Sequence, residues 1–362
     1  MTTRPARAFG AFVVLTACVA ACGGNTNTSS PGEPTLAPGI RLLVTDETGG
    51  NLVLVDPVSG QVVERIPVGK RPRGLSMMRD GVHVLVALSG SPIAGPGVDE
   101  SKLPPADRSA DGIGVVDIAA RKLVRTLPSG QDPETFDLSP DGQTVYVSNE
   151  ETAEVSALDM ATATIRGRVK VGGEPEGVTV RPDGRVVYVT SEADNAVYAI
   201  DTGTLAVVAR IETGPRPRAV AFTRDGAVAF VTAENSGAVT VIDGATHKPS
   251  GTIAIPPTAG TPTPPRPMGV VLSPDGQQLF VSLGRARSVA VIDVAGRRVV
   301  RTIEDIGTRP WGIAVSADGR KLYTANGPSG DVSIIDIATG TVERRVAVGG
   351  TPWGVIVVSG VE

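Results

Sequence analysis

The chain has 362 residues, a formal net charge of −4 and 41% hydrophobic residues, although aromatic residues make up only 3%. This charge argues against an extended basic surface for nucleic acid, and two cysteines argue against a disulfide framework. The 44 glycines and 29 prolines, with no sustained helical period of apolar residues, favour many short strands joined by tight turns.

Residues 1–21 have the composition of a signal peptide, because two arginines precede an apolar stretch that is too short to span a membrane as a helix. The letters VAAC, which end at Cys22, resemble the bacterial lipobox, whose cysteine is lipidated and becomes the mature N-terminus. LTAC, which ends at Cys18, is an alternative, and an ordinary secretory signal is another. We predict a lipoprotein signal peptide, lipidation of Cys22, and an exported, membrane-anchored protein on the periplasmic or cell-surface side.

Residues 22–39 are rich in Gly, Ser, Thr and Pro, a composition typical of a flexible tether. Cleavage before Cys22 removes Arg4 and Arg7, which leaves 32 basic and 38 acidic residues and a net charge of −6. This balance disfavours nucleic acid as a partner. We assign residues 40–362 to one folded domain.

That domain consists of a repeat of about 42 residues. Each unit has an aspartate directly after an apolar run and, usually 24 residues later, the aspartate of a DG pair. The first kind are Asp56, Asp117, Asp159, Asp201, Asp243, Asp293 and Asp336, and the second kind are Asp80, Asp141, Asp183, Asp225, Asp275 and Asp318. Four short apolar runs per unit, with DG as a primed hairpin turn between the first two, predict a four-stranded propeller blade rather than a solenoid repeat.

The order of the strands at the two ends predicts how the ring closes. The first unit, from Arg41 to Gly69, has second, third and fourth strands without a first strand, whereas residues 352–358 form a lone first strand. We therefore predict an all-β fold, a seven-bladed β-propeller of four-stranded antiparallel blades, in which the C-terminal strand pairs with the N-terminal blade.

The unit VGGEPEGVTVRPDGRVVYVTSEADNAVYAIDTGT resembles the YVTN-type β-propeller repeat, and the resemblance covers residues 41–358. The segments PSGQDPETFDLSPDGQTVYVSNEE and PSGDVSIIDIATG are similar to propeller proteins associated with catabolism that depends on pyrroloquinoline quinone (PQQ). This second resemblance implies a role accessory to quinoprotein alcohol oxidation. It does not imply that this chain binds the quinone.

Strand direction assigns the loops of the ring to two faces. The DG turns and the third-to-fourth-strand turns share one face, and the P-x-G segments share the other face with the second-to-third-strand turns. Both insertions, Ser89–Asp111 and the one within Ile255–Pro267, fall on the P-x-G face, where we expect binding. The repeated aspartates lie on the opposite face, and we interpret them as caps of their own turns rather than metal ligands.

The middle residue of P-x-G differs in character from blade to blade, which predicts a solvent-facing rim at the mouth of the central channel. Glutamates at an equivalent turn position after the second strand belong to the same rim. We predict a ligand-binding or partner-binding site formed by Arg73, Glu134, Glu150, Glu176, Glu192, Arg218, Glu234, Trp311 and Trp353. The alternatives are that these charges only pair between blades, and that the two indoles seal the closure of the ring.

The sequence predicts no catalytic residues, no metal site and no cofactor. His83 and His247 have no partner in the sequence, and motifs for haem attachment, a nucleophile elbow or a phosphate loop are absent. We predict a monomeric, non-catalytic propeller that binds a protein or small molecule on the P-x-G face. The alternative is a lactonase-type hydrolase, in which glutamates of the rim meet Arg73 or Arg218 at the mouth of the channel.

Overall fold

Seven four-stranded antiparallel sheets make up the part of the chain that the computed structural model describes, which is residues 39–93, 99, 102–257 and 264–359. All these residues lie in the compact unit Leu36–Glu362. The predicted signal peptide, Cys22 and nearly all of the tether lie outside the described residues, and they stay predictions. No helix within the described ranges is long and apolar enough to cross a membrane.

The strands fall into four sets according to their distance from the axis of the ring. The second strands of the blades are β1 (Ile40–Asp46), β5 (His83–Leu88), β9 (Thr144–Asn149), β13 (Val186–Ser191), β17 (Val228–Ala233), β21 (Gln278–Leu283) and β25 (Lys321–Asn326). The third strands are β2 (Asn51–Asp56), β6 (Gly112–Asp117), β10 (Glu154–Asp159), β14 (Ala196–Asp201), β18 (Ala238–Asp243), β22 (Ser288–Asp293) and β26 (Asp331–Asp336).

The first and fourth strands form the inner and outer edges of the blades. The outer strands are β3 (Gln61–Pro67), β7 (Lys122–Leu127), β11 (Thr164–Lys170), β15 (Ala206–Glu212), β19 (Lys248–Ala254), β23 (Arg298–Ile303) and β27 (Thr341–Ala347). The inner strands are β4 (Leu75–Met77), β8 (Pro133–Leu138), β12 (Pro175–Val180), β16 (Pro217–Phe222), β20 (Pro267–Leu272), β24 (Pro310–Val315) and β28 (Pro352–Ser359). Short 3-10 turns between second and third strands include, among the described residues, Arg108–Ala110, Gly284–Ala286 and Gly327–Ser329.

Apolar side chains fill the contacts between blades. Every residue of β9 and β13 is buried, because neighbouring blades cover both faces of these strands. The outer strand β11 instead alternates between exposed and partly buried residues along most of its length. Seven hydrophobic clusters lie one at each contact between neighbouring blades, and Val, Ile, Leu and Ala supply most of their members.

The predicted closure of the ring is confirmed. β28 is the inner strand of blade 1, whose order is β28, β1, β2 and β3. Blades 2–7 follow in chain order, from β4–β7 in blade 2 to β24–β27 in blade 7. β28 pairs antiparallel with β1, and the register places Ile40 opposite Ser359 and Leu43 opposite Ile356. β28 also contacts both neighbouring inner strands, β24 and β4, so the inner strands form a closed circle.

The DG turns are longer than the two-residue primed turn predicted from the sequence. Gly142 has the expected positive φ of 73°, but its N–H donates to Ser139 O at 2.7 Å, and Ser139 N–H donates to Thr144 O at 2.8 Å. Four residues therefore connect the strands, and Asp141 stabilises this wider turn because its side chain accepts the Gln143 N–H. The same backbone hydrogen bonds occur in the turns that begin at Met78 and Arg181. All six DG aspartates accept a backbone N–H, as do six of the seven other aspartates, which confirms the interpretation as turn caps for these twelve.

Hydroxyl groups on five second strands join the inner strands of neighbouring blades. Each accepts a hydrogen bond from the N–H of the third P-x-G position in its own blade. The same hydroxyl donates to the carbonyl oxygen of the middle P-x-G residue in the next blade. The five are Thr45, Ser148, Thr190, Thr232 and Ser282.

We predict that Thr232→Val lowers the free energy of unfolding by about 1–3 kcal/mol, because it leaves the Ala219 N–H and the Met268 carbonyl without the fully buried hydroxyl that bridges them. Urea unfolding monitored by circular dichroism measures the change. Thr252→Val, at an exposed position of β19 in the same blade, is the matched control. Equal unfolding curves for the two variants would contradict the role of the bridge.

Candidate functional site

A cavity of about 860 Å³ opens on the P-x-G face at the mouth of the central channel, and we call it the mouth cavity. All nine residues of the predicted rim line it, which are Arg73, Glu134, Glu150, Glu176, Glu192, Arg218, Glu234, Trp311 and Trp353. Ile93, Leu103 and Pro104 show that the first insertion also reaches this cavity. The insertion therefore lies on the predicted face in its described part.

Local backbone geometry explains why these side chains converge. Five of the seven residues before the P-x-G proline have a left-handed backbone, with φ from 41° to 60°: Arg71, Asp132, Glu174, Arg216 and Arg309. In five blades the carbonyl oxygen of the residue before the proline accepts a hydrogen bond from the N–H of the turn residue after the second strand. In blade 3, the Glu150 N–H donates to the Asp132 carbonyl oxygen at 3.0 Å. The residue before the proline and the turn residue therefore lie side by side at the mouth.

Glycine at the third P-x-G position lets neighbouring inner strands approach each other. A Cβ atom on Gly177 would lie 2.2 Å from the Arg218 carbonyl oxygen, and one on Gly269 would lie 2.3 Å from that of Trp311. Any larger side chain would separate the strands there. In five of the seven blades this glycine thus maintains the close packing of the inner strands, whereas blades 3 and 5 have Thr135 and Ala219 at this position.

The expectation that the rim residues face solvent is wrong for the best-buried of them. Arg73 is 2% exposed and Glu134 is 4% exposed. Arg73 crosses from blade 2 to blade 3, where it forms ion pairs with Asp132 at 2.5 Å and with Glu134. Although burial raises the pKa of Asp132, Arg73 and the Ser89 hydroxyl hold that pKa below its ordinary value. The inter-blade pairing that the sequence left as an alternative is present.

A second network joins blades 4, 5 and 6. Arg218 pairs with Glu176 at 2.8 Å and also with Glu192. Arg216 pairs with Glu192 and lies 3.4 Å from Glu234. Since these carboxylates are almost fully buried, their charges need the arginines to remain ionised inside the fold.

Charge is distributed unequally around the mouth cavity. Blades 1–4 contribute eight carboxylates and three arginines, which we call the acidic half. Blades 5–7 contribute one carboxylate and five arginines, which we call the basic half; its members are Glu234, Arg216, Arg218, Arg266, Arg285 and Arg309. The cavity therefore has a strong electrostatic gradient from one side to the other.

Glu150 is the most perturbed carboxyl of the acidic half. Burial raises the pKa of Glu150 to about 7, and the charges of Glu176 and Asp132 add to the effect, whereas Arg73 opposes it. No ion pair or side-chain hydrogen bond of Glu150 occurs among the described residues. Glu150 therefore has a free carboxyl group that changes its protonation state near neutral pH.

Arg309 and the two tryptophans also line the mouth cavity. The Arg309 guanidinium lies 5.0 Å from the ring centre of Trp311, a cation–π contact. Burial lowers the pKa of Arg309. The charge of Glu234 opposes this shift, whereas the charge of the nearby Arg218 lowers the pKa further. The buried Nε1–H of Trp311 has no hydrogen-bond partner within the described residues.

Several cavity residues escaped the predicted set. They include Glu47, Arg71, Asp132, Glu174, Arg216, Arg266, Arg285 and Arg309. The repeat itself contains the signal for most of them, because Glu47 occupies the same turn position as Glu150 and the others, except Arg285, directly precede the P-x-G proline. Arg285 lies in the 3-10 turn Gly284–Ala286, and the corresponding turn of blade 7, Gly327–Ser329, has no charged residue, so the repeat does not indicate it.

A cluster of carboxylate oxygens from Asp132, Glu134 and Glu150 lies within 4.8 Å, a spacing that a metal ion could bridge. The Arg73 guanidinium contacts the first two carboxylates and supplies positive charge there instead. The cluster is therefore better described as part of an ion-pair network than as a metal centre.

Comparisons with known proteins support the fold. The family model described as the cytochrome D1 heme domain matches residues 175–352, and the model described as the choice-of-anchor I domain matches residues 40–207. Each covers less than half of the chain. No curated protein matches the chain.

Solved structures with the same fold come from several bacteria. A periplasmic gluconolactonase of Pseudomonas aeruginosa is 22% identical with a TM-score of 0.71, over 90% of this chain and 100% of that one. The hydrazine synthase of Kuenenia stuttgartiensis is 23% identical with a TM-score of 0.64, over 79% and 89%. A protein of unknown function from Desulfotomaculum acetoxidans is 15% identical with a TM-score of 0.72, over 88% and 99%. At these identities the likeness shows the seven-bladed propeller fold.

The mouth cavity does not fit a haem with axial ligands of the usual kinds. No His, Cys or Tyr is among the described residues that line it. His83 and His247 lie on the opposite face, where their Nδ1 atoms are 2.7 Å from Asp80 Oδ2 and from the Tyr188 hydroxyl. The match to the heme-domain model therefore extends to the fold and not to a haem site.

We predict that Arg73→Met lowers the free energy of unfolding by about 3–5 kcal/mol, because Asp132 and Glu134 would stay buried without their cation. Chemical unfolding at pH 7 measures the loss. The triple variant Arg73→Met, Asp132→Asn and Glu134→Gln should regain a large part of the lost free energy of unfolding. A single variant as stable as the unmodified protein would show that the network contributes little.

Proposed function

We propose that the protein binds a small organic anion in the mouth cavity, with the negative group of the ligand at the basic half. The observation that carries this proposal is the pairing of the arginines. Six of the eight cavity arginines form ion pairs with carboxylates, whereas Arg285 and Arg309 form none among the described residues.

The surroundings of Arg309 suit a carboxylate ligand. A guanidinium can donate two parallel hydrogen bonds to a carboxylate, which gives strength and orientation. Partial burial of Arg309 reduces the competition from water, and the neighbouring arginines make the local potential positive. The indoles of Trp311 and Trp353 provide apolar surface for the remainder of the ligand.

We predict that hexanoate binds the unmodified protein and that Arg309→Met weakens this binding at least tenfold, because the variant loses a charge-assisted hydrogen bond. Isothermal titration calorimetry at pH 7.5 and low ionic strength measures the dissociation constant. Arg224→Met, on an exposed DG turn of the opposite face, is the matched control. Equal affinity in the two variants would contradict the assigned position, and no detectable binding of any carboxylate would overturn the proposal.

A second candidate function, lactone hydrolysis, is favoured by the state of Glu150. A general base works best when its pKa lies near the working pH, and the pKa of Glu150 is about 7. Three glutamates of the rim do meet the arginines of this hypothesis, since Glu134 pairs with Arg73, and Glu176 and Glu192 pair with Arg218. Glu150 forms no ion pair among the described residues, so its carboxyl group remains available. The gluconolactonase of Pseudomonas aeruginosa has the same fold, which makes its substrate class the first to test.

We predict that, if this second function holds, hydrolysis of glucono-δ-lactone rises with pH through about 7, because only ionised Glu150 can accept a proton. Glu150→Gln should lower the rate above the uncatalysed blank at least a hundredfold. Glu212→Gln, at a side chain 87% exposed on β15, is the control. A rate no higher than the blank for the unmodified protein would exclude the reaction.

The sequence also led to predictions of export, of an anchor at Cys22 and of a link to PQQ-dependent alcohol oxidation. They do not support either proposal, and neither proposal depends on them. Binding of an organic anion at the mouth is compatible with a membrane-tethered protein and with a released one.

A further inference from the structure

A smaller cavity of about 190 Å³ lies directly below the mouth cavity, further along the central channel, and we call it the channel chamber. Inner strands of six blades contribute to it, among them Thr135, Val178, Val220, Val270 and Ile313. These residues follow the middle P-x-G position along each strand, so the chamber is deeper in the ring than the rim.

The two cavities share four residues, which are Glu176, Arg218, Trp311 and Trp353. The ion pair between Glu176 and Arg218 lies at this boundary, with the indoles beside it. Arg309 lies over the ring of Trp311, and Trp311 also lines the chamber. A continuous surface therefore leads from the unpaired guanidinium, along an indole, into the chamber.

The chamber differs from the mouth cavity in chemistry. Apart from the boundary pair and the indoles of Trp311 and Trp353, its lining is aliphatic, sulfur-containing or glycine, with two threonines. The hydroxyls of these threonines are already used between blades, since Thr135 donates to Glu176 O at 2.5 Å and Thr179 to Val220 O at 2.9 Å. Backbone N–H groups of Gly177 and Gly269 are likewise taken up by second-strand hydroxyls. Few polar groups are left for a polar guest.

We infer that the ligand is an amphiphilic carboxylate with an unbranched aliphatic chain, whose negative group lies at Arg309 and whose chain enters the channel chamber. This inference rests on the proposed binding of an organic anion at the mouth. An aliphatic chain suits the chamber because each buried methylene gains free energy and needs no hydrogen-bond partner. A short or fully hydroxylated acid would leave the chamber without this gain.

A series of straight-chain carboxylates tests the inference on the unmodified full chain. Calorimetric titrations with acetate, butyrate, hexanoate and octanoate at pH 7.5 should show the dissociation constant falling about fourfold for each added methylene until the chamber is full. 1-Hexanol, which lacks the negative group, should bind more weakly than hexanoate.

A pair of variants on β20 identifies where the chain lies. Val270 lines the chamber, whereas the next residue, Val271, lines neither cavity. Val270→Phe should weaken hexanoate binding at least tenfold and leave acetate binding within twofold, and Val271→Phe should leave both within twofold. Blade 3 has Phe136 at the position of Val270, packed between blades 2 and 3, so a phenylalanine at this register is compatible with a folded blade.

The outcomes separate the inference from the proposed function. If acetate and hexanoate bind with equal affinity and Arg309→Met weakens both, the inference that an aliphatic chain enters the channel chamber is overturned, whereas the proposed anion site is retained. The affinity for the carboxylates could still rise with the length of the aliphatic chain in Val270→Phe, or the rise could be lost equally in Val271→Phe. Either result would place the aliphatic chain of the ligand elsewhere and overturn the inference. Absence of binding for the whole series would overturn both.

Discussion

The structure depends on one kind of contact, the hydrogen bond from a second-strand hydroxyl to the backbone of the next blade. Inner strands of a propeller meet at an angle and do not pair as a sheet, so their polar backbone groups need other partners. Thr45, Ser148, Thr190, Thr232 and Ser282 provide them, and in each case the acceptor is the carbonyl of a residue at the middle P-x-G position. The contact that closes the ring thus also fixes the backbone of the mouth.

This arrangement separates the work of the backbone from that of the side chain. The carbonyl and N–H groups of the P-x-G segment hold neighbouring blades together, so the side chain at its middle position is free to differ. It is arginine, glutamate, methionine or tryptophan around the ring, and every blade keeps an inner strand, although β4 begins only at Leu75. Most of the resulting charges are matched across blades, which orders the side chains, and the few unmatched groups mark where a ligand can gain the most.

The fold could be predicted almost completely from the sequence, because it follows from local signals that recur. Regular spacing of aspartates and apolar runs indicates the strands, and the lone strand after Thr351 indicates the closure. The turn type was wrong, since the same four-residue connection forms after Met78, Ser139 and Arg181, where the side chain of the DG aspartate accepts a backbone N–H inside the turn. Spacing carries no information about such a side-chain contact.

The site was predictable in its location and less so in its chemistry. Equivalent positions in the repeat correctly brought nine side chains to one cavity. The burial of Arg73 was missed, because its partners Asp132 and Glu134 are about sixty residues away and belong to another blade. The displaced pKa of Glu150 and the channel chamber likewise arise from contacts among several blades, which no single segment of the chain displays.

The pairing of β28 with β1 has a consequence for how the chain could be rearranged. Blade 1 is assembled from two distant segments with the same antiparallel register as the covalently continuous blades, and Ile40 and Ser359 meet at one edge of its sheet. A short loop joining these two residues would turn blade 1 into an ordinary hairpin-linked blade. The blade at which the chain begins is therefore arbitrary in principle, and a circularly permuted protein opened at a DG turn of another blade would keep every inter-blade hydroxyl bond.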